Sequence, residues 1–259
     1  MKTFPNCKIN LGLRIVGKRP DGYHDLETIF LPVYDMCDEL EITSATESSV
    51  VQEGMPLDNQ PDDNLCMKAY KLLHEEYGIP PVCIRLTKKI PFGAGLGGGS
   101  SDAAFTLKML NEMFSLRLTE SQLEQHAARI GADCAFFVKN RPAHATGIGD
   151  ILSPINIDLS NYRIVIEIPD GEHVSTREAY AGIDNTASPS SSLISLKEAV
   201  KAPIEEWRNL IVNDFEASVF PSHPAIAELK EEMYSRGAVY ASMTGSGAAV
   251  FGIFRRICL

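Results

Sequence analysis

The stretch PFGAGLGGGSSDAA, residues 91–104, decides the reading of the chain. It packs five glycines and two serines between a strand-like run, 82–90, and a helical pattern in which Ala103, Leu107, Leu110 and Phe114 share a face. Glycine permits positive φ and close backbone approach. The N–H groups of such a loop, feeding a helix N-terminus, form an anion site. As a plain connection ending in a Ser/Asp N-cap, so many glycines would cost backbone entropy with no structural return. A Walker A loop is excluded, because Gly99 stands where its lysine belongs. The pattern G-x-G-x-x-G is met by Gly93, Gly95 and Gly98. A dinucleotide fold, however, wants an acidic residue about 20 positions later, at the end of a strand. Here that region, 116–120, opens a helix.

Outward from the loop, strands and helices alternate. Alternation and β-branched content predict strands over 8–16 and 26–34, joined by a polar turn at Pro20-Asp21-Gly22. Residues 38–43 form a third strand and 53–64 a surface loop. Leu65, Ala69, Leu72 and Leu73 mark a helix ended by Gly78 and Pro80-Pro81. Leu123, Ala127 and Ile130 mark another, with Thr119 as N-cap, Gln122 at the capping-box position and Gly131 closing it. A strand and turn surround Gly147 and Gly149, a strand follows at 162–168, and residues 184–192 are low-complexity loop. Ile226, Leu229 and Met233 mark a late helix closed by Gly237; strands 238–242 and 249–254 flank a second glycine loop. The expected class is α+β, a mixed α/β sandwich, in two domains, 1–155 and 156–259.

Composition narrows the function. The 259 residues are 44% hydrophobic and 22% charged, as in a globular protein. Lys plus Arg number 24 against 34 Asp plus Glu, a formal charge of −10. That field is the wrong sign for nucleic acid. Any phosphate ligand must therefore be held by backbone N–H groups, a helix end and one or two placed lysines. The six cysteines, Cys7, Cys37, Cys66, Cys83, Cys134 and Cys258, form no C-x-x-C pair, which argues for thiols in a reducing compartment rather than zinc or disulfides. Asn6, Lys8 and Asn10 interrupt any apolar leader, and the longest apolar run, 247–254, is too short to span a bilayer. A cytoplasmic protein is expected.

Pro91, Gly93, Gly95, Leu96, Gly97, Ser100 and Ser101 match the P-x-G-x-G-L-G-S-S-like loop of small-molecule kinases, and the chain resembles the GHMP kinases. The resemblance runs almost the whole length, through KINLGL (8–13), DGYH (21–24), DDNL (62–65), GADCAFF (131–137), GIGD (147–150) and TGSGAAVF (244–251). It implies a two-domain fold with the active site in the cleft between domains, with ATP and Mg2+ as the cofactors. KINLGL with DGYH points to the branch whose acceptor is a tertiary hydroxyl on a cytidine diphosphate sugar alcohol. Relatives commonly continue past the last motif, so an abbreviated C-terminal edge is expected.

The same resemblance supplies site residues. Lys8 falls on the family's catalytic lysine and Asp133 on its general base; by position alone, Lys8, among apolar neighbours on the first strand, is either the cation that the loop lacks or an exposed strand lysine, and Asp133 is an N-cap, a role compatible with that of a base. A carboxylate can take the proton of the acceptor hydroxyl, while Lys8 offsets the developing charge. Pro91, Phe92, Gly93, Ala94, Gly95, Leu96, Gly97, Gly98, Gly99, Ser100 and Ser101 would wrap the ATP phosphates, with Ser100 or Ser101 near magnesium. Asn64, Leu65 and Lys88 would border the adenine, Lys88 having a solvated role as its alternative. Asp102 reads as a charge partner of the helix N-terminus rather than a metal ligand. Asn10, Tyr23, His24, Phe30 and Tyr180 are the acceptor-side candidates, with Tyr23 and Tyr180 as rings facing the cytosine; Phe30 and Tyr180 could equally be core. Residues 244–251 form either an anion nest, a buttress for the first loop, or a turn. Expected partners are the small-molecule acceptor alone, with no nucleic acid or membrane, as monomer or homodimer. Competing readings are a homoserine- or mevalonate-type kinase, which a substrate screen separates, and an ATP-binding protein without catalysis, against which Lys8 and Asp133 together argue. A dinucleotide-dependent oxidoreductase is a third, which titration with ATP against NAD separates.

Overall fold

The structure, a computed structural model, describes residues 1–55, 64–183 and 194–256. Most of the 53–64 loop, the low-complexity run 184–192 and Cys258 lie outside the described residues. The chain divides into two units: Met1–Lys8, Pro32–Phe92 and Gly97–Arg141 form one, and Ile9–Leu31, Gly93–Leu96 and Pro142–Leu259 the other. This interleaving differs from the single break expected near residue 155. Its cause is two long strands, β2 (Asn6–Lys18) and β3 (His24–Cys37), each of which carries the chain from one unit into the other.

The first unit holds β1 (Lys2–Thr3), β4 (Glu39–Ser44), β5 (Ser49–Gly54) and β6 (Val82–Lys88) in a sheet of order β1-β4-β6-β5. β6 pairs antiparallel with β4 and parallel with β5. Along β6, Val82, Ile84, Leu86 and Lys88 fall on the buried face and Arg85 on the exposed one, the two-residue period of a half-buried strand. Helix α1 (Leu65–Tyr77) starts where expected, because the Asn64 side chain accepts a hydrogen bond from the Cys66 N–H, and ends on Gly78 at φ 65°. α1 packs on α2 (Gly98–Met113), which also meets α3 (Glu120–Ile130) and α4 (Cys134–Lys139). The predicted capping box of Thr119 and Gln122 is formed at the start of α3. Leu40, Ile42, Leu73, Ile84, Leu107, Leu110 and Phe137 are fully buried in this unit.

In the second unit β9 (Tyr162–Glu167), β10 (Tyr240–Met243) and β11 (Val250–Arg255) form an antiparallel sheet with β11 central. Helix α9 (Pro224–Ser235) covers β10 and β11, and Ile226 and Met233 join Val174, Phe215, Met243 and Val250 in one core. A further sheet has the order β2-β3-β7-β8, where β7 (Ala143–Thr146) and β8 (Ile151–Pro154) flank the expected glycine turn. The short helices α5 (Thr176–Ala181), α6 (Leu196–Ala199), α7 (Trp207–Leu210) and α8 (Phe215–Val219) complete it. The class is α+β. Among the described residues no helix is long and apolar enough to cross a membrane.

Candidate active site

In the first unit the glycine loop ends at Gly97, the N-cap of α2, with φ 69° and no side-chain cap. The first N–H groups of a helix have no partner within it, and at α2 no side chain caps them. A Cβ on Gly97 would lie 3.0 Å from Lys8 Cε and 3.2 Å from Phe137 Cε2, so a side chain at residue 97 would crowd Lys8 where it meets the loop. Lys8 is buried, which removes its reading as an exposed strand lysine. Its Nζ lies 3.5 Å from Asp133 Oδ2. Asp133 occupies the N-cap position of α4, yet its side chain makes no capping bond and is 33% exposed. Behind it, burial pushes the Cys134 thiol up to about 11, with a hydrogen bond to Ser100 acting the other way, so this cysteine is an inert neighbour.

The residues expected beside the adenine divide. Leu65 packs at the start of α2, its Cδ1 3.6 Å from a Cβ built on Gly99. Asn64 is buried and engaged, capping α1 and donating to Gln52 Oε1 at 3.4 Å. The Lys88 ammonium is turned inward, contrary to both its adenine-side and its solvated reading. Residue 88 is on the buried face of β6, and Nζ donates to Asp38 and, at 2.8 Å, to Asp102. Burial works against its charge, but the two carboxyl groups outweigh it and raise the Lys88 pKa. Burial, opposed by Lys88 and assisted by Asp38, pushes Asp102 up to about 7. Asp102 is therefore tied to a lysine of the sheet rather than to its own helix dipole.

In the second unit the rest of the loop meets the second glycine segment. A Cβ on Gly95, at φ 76°, would be 2.2 Å from the Thr244 carbonyl oxygen. The Ala249 N–H donates to the Ala94 carbonyl at 3.3 Å, and Thr244 Oγ1 lies 3.4 Å from the Gly95 oxygen. Residues 244–249 thus buttress the first loop, one of the readings left open by sequence. Asn10 is buried here: its N–H donates to Thr244 Oγ1 at 2.9 Å, and its amide donates to Thr28 Oγ1 at 3.0 Å.

Of the aromatic candidates, the structure brings His24, not Tyr23, onto Tyr180. Their rings stack at 4.8 Å and 21°, and Phe215 meets the other part of Tyr180 edge-on. Tyr23 is 63% exposed, and Phe30 is buried. Sequence reasoning missed Thr244 and Thr28 as the partners of Asn10, and His173, whose Nε2 would be 2.7 Å from a Cβ on Gly93. Only the Thr of TGSG carried a signal, since it opens a glycine motif.

Residues 64–141 match the GHMP kinases N terminal domain and residues 195–256 the GHMP kinases C terminal domain. A curated relative from Bacteroides thetaiotaomicron, 4-diphosphocytidyl-2-C-methyl-D-erythritol kinase, is 56% identical over 258 residues, covering 98% of this chain and 92% of its own. The protein of that name from Azobacteroides pseudotrichonymphae is 48% identical over 256 residues, covering 99% and 94%. A solved structure of 4-(cytidine 5'-diphospho)-2C-methyl-D-erythritol kinase superposes with a TM-score of 0.79 at 31% identity, covering 98% of this chain and 90% of that one. A mevalonate kinase structure shares the fold, with a TM-score of 0.70 at 15% identity, 98% of this chain and 91% of that one being covered. The loop that sequence alone assigned to phosphate lies inside the first matched domain and its buttress inside the second, and the chain belongs to the GHMP kinase family.

Proposed function

We propose that this chain transfers the γ-phosphoryl group of ATP to the 2-hydroxyl of 4-diphosphocytidyl-2-C-methyl-D-erythritol, giving the 2-phosphate and ADP, in non-mevalonate isoprenoid precursor synthesis. The observation that carries the reading is the Lys8–Asp133 pair, 3.5 Å apart beside the N-cap of the loop helix, in a chain 56% identical to a relative of that name. Asp133 takes the hydroxyl proton as the new O–P bond forms, and the bond from γ-phosphorus to the bridging oxygen breaks to release ADP. Lys8 offsets the charge that develops on the alkoxide and the transferring group. The free N–H groups at the start of α2 receive phosphate oxygens.

Magnesium carried on the ATP phosphates would supply charge neutralisation. We assign the Ser100 hydroxyl to it, because Ser101 is fully buried. Among the described residues no group of three or more His, Cys, Asp or Glu side chains could hold an ion unaided, which fits a cation held largely by the nucleotide. Asn64 and Leu65 border the adenine. On the acceptor side Asn10 and Phe30 shape the floor; the cytosine takes the place of His24 on the Tyr180 ring, and His24 then offers a ring nitrogen to the base edge, with Tyr23 as an outer ring. The five described cysteines are free thiols, which supports a cytoplasmic setting.

The test is ATP consumption with the cytidine diphosphate acceptor, compared with the same sugar alcohol lacking cytidine and with mevalonate and homoserine. Turnover is expected with the first alone. Turnover with mevalonate or homoserine instead would overturn the assignment.

A further inference from the structure

Helix α4 has six residues, too few to hold a fixed place by its own hydrogen bonds. Cys134 to Val138 are all buried, and α4 packs on α2 and α3. Apolar burial is non-directional, so it holds the helix down and leaves its slide along β2 to directional bonds. The head of α4 has no side-chain cap: Asp133 makes no capping bond and faces Lys8 instead. The tail is tied. Asn140, its C-cap, is left-handed at φ 53° and ψ 47°, a conformation that Asn adopts more readily than most residues. The Asn140 N–H donates to the Phe136 carbonyl at 2.9 Å, and the Asn140 carbonyl accepts from the Tyr34 hydroxyl at 3.0 Å. Its side-chain amide faces that of Asn6, and the two exchange both bonds: Asn140 Nδ2 donates to Asn6 Oδ1 at 2.6 Å, and Asn6 Nδ2 to Asn140 Oδ1 at 3.3 Å. Asn6 is 2% exposed, and its Nδ2 also donates to the Cys7 carbonyl at 2.9 Å.

Asn6 opens β2, and Lys8 follows two residues later. Residues i and i+2 of a strand point to the same side. One face of β2 therefore engages both ends of α4: Lys8 meets Asp133 at the head, at 3.5 Å, and Asn6 meets Asn140 at the tail. We propose that the Asn6–Asn140 amide pair is a positioning device for the site, fixing the slide of α4 along β2 and with it the distance between Lys8 and Asp133. As a plain helix stop, residue 140 would be served as well by glycine, the usual occupant of a left-handed cap. A stop does not call for a side chain that pairs with a buried amide 134 positions away. Nor does the start of a strand call for a buried amide, which is costly to bury unless it is paired. Tyr34, which holds the Asn140 carbonyl, anchors the same joint from β3.

This inference rests on the reading of Lys8 and Asp133 as the pair that acts on the acceptor hydroxyl, and the experiment separates the two. Asn140→Gly keeps the left-handed backbone and removes the amide pair. Its kcat with ATP and the cytidine diphosphate acceptor is expected to fall by about tenfold, since small misplacements of a reacting group are felt steeply in rate. Its ATP dissociation constant, measured by calorimetry, should stay within about twofold of wild type, because the loop helix is not moved. Asn140→Asp, whose oxygen can still accept from Asn6, should fall between wild type and Asn140→Gly. In an Asp133→Ala background, Asn140→Gly should cause no further loss of the residual turnover, since it acts through Asp133. A crystal structure of Asn140→Gly without substrate should show Lys8 Nζ and Asp133 Oδ2 farther apart than about 4 Å, the limit of an ion pair. Wild-type kcat in Asn140→Gly, a second loss of about tenfold on top of Asp133→Ala, or a separation still at 3.5 Å would overturn the proposal. Normal turnover by Asp133→Ala itself would instead remove the base, and the crystal structure would still decide whether the amide pair sets the distance.

Discussion

Asp133 stands at the head of α4 without capping it, one third exposed and 3.5 Å from a buried lysine. A carboxylate that does not cap its helix and stands beside a buried lysine is available for chemistry. Asp133→Ala should therefore keep ATP binding and lose turnover by roughly 10²–10⁴-fold, the usual worth of a general base. Calorimetry with ATP and kcat with the acceptor check the two halves; near-normal kcat in a folded variant would remove Asp133 from the mechanism. On the acceptor side, stacking on an aromatic is worth about 1–3 kcal/mol per base, so Tyr180→Ala should raise the KM for the cytidine substrate by about ten- to a hundredfold. ATP affinity and kcat should change little, because stacking remote from the reacting phosphorus acts about equally on ground and transition states. Unchanged KM would make Tyr180 a core residue that serves Phe215 and His24 alone. That Lys8 and Asp133 belong near one another was legible only through the family resemblance of the motifs KINLGL and GADCAFF that carry them. The alternation of Val82, Ile84 and Leu86 does put Lys88 on the inward face of β6, but no local pattern reveals that its partners there are Asp38 and Asp102.

The elements that could be read in advance are those with a local cause. Helix α1 carries its own cap at Asn64 and its own stop at Gly78, and α3 carries a capping box, so neither needs tertiary information. The misses include β1, of two residues, β5, a mostly exposed strand beside β6, and α4 and α6 to α8, helices of four to six residues that contain less than two turns of apolar period. Their conformation is decided by what they pack on. The glycine loop lies between these cases: its sequence announced an anion site, but not that residues 244–249 hold it. That contact sets a strict limit on Gly95, where both a φ of 76° and a carbonyl oxygen 2.2 Å from any Cβ oppose a side chain. Gly95→Ala should loosen ATP by about tenfold or more through displacement of the loop, and should also lower the thermal midpoint. Wild-type ATP affinity in that variant would mean that Thr244 yields freely and does not buttress the loop.

At the scale of the whole molecule, a formal charge of −10 must accommodate two anionic substrates. The cations assigned to the site do not alter the field outside, because Lys8 is buried against Asp133 and Lys88 is buried against Asp38 and Asp102. On the proposed assignment, recognition is therefore short-range, through N–H groups, a helix end and aromatic faces, and the long-range field opposes approach. Salt screens that field: the Debye length shrinks from about 30 Å at 0.01 M to about 8 Å at 0.15 M. For a protein that steers its ligand with a basic surface, kcat/KM falls steeply over this range. Here the kcat/KM for the cytidine diphosphate acceptor should hold steady or rise by up to about threefold as a monovalent salt is raised, since repulsion is what is screened. The measurement is a salt titration at fixed pH and saturating ATP, with kcat followed separately so that an effect on the chemical step is not counted as one on encounter. A fall of about tenfold would mean that a local basic surface draws the diphosphate in against the net charge, and that recognition begins well before contact.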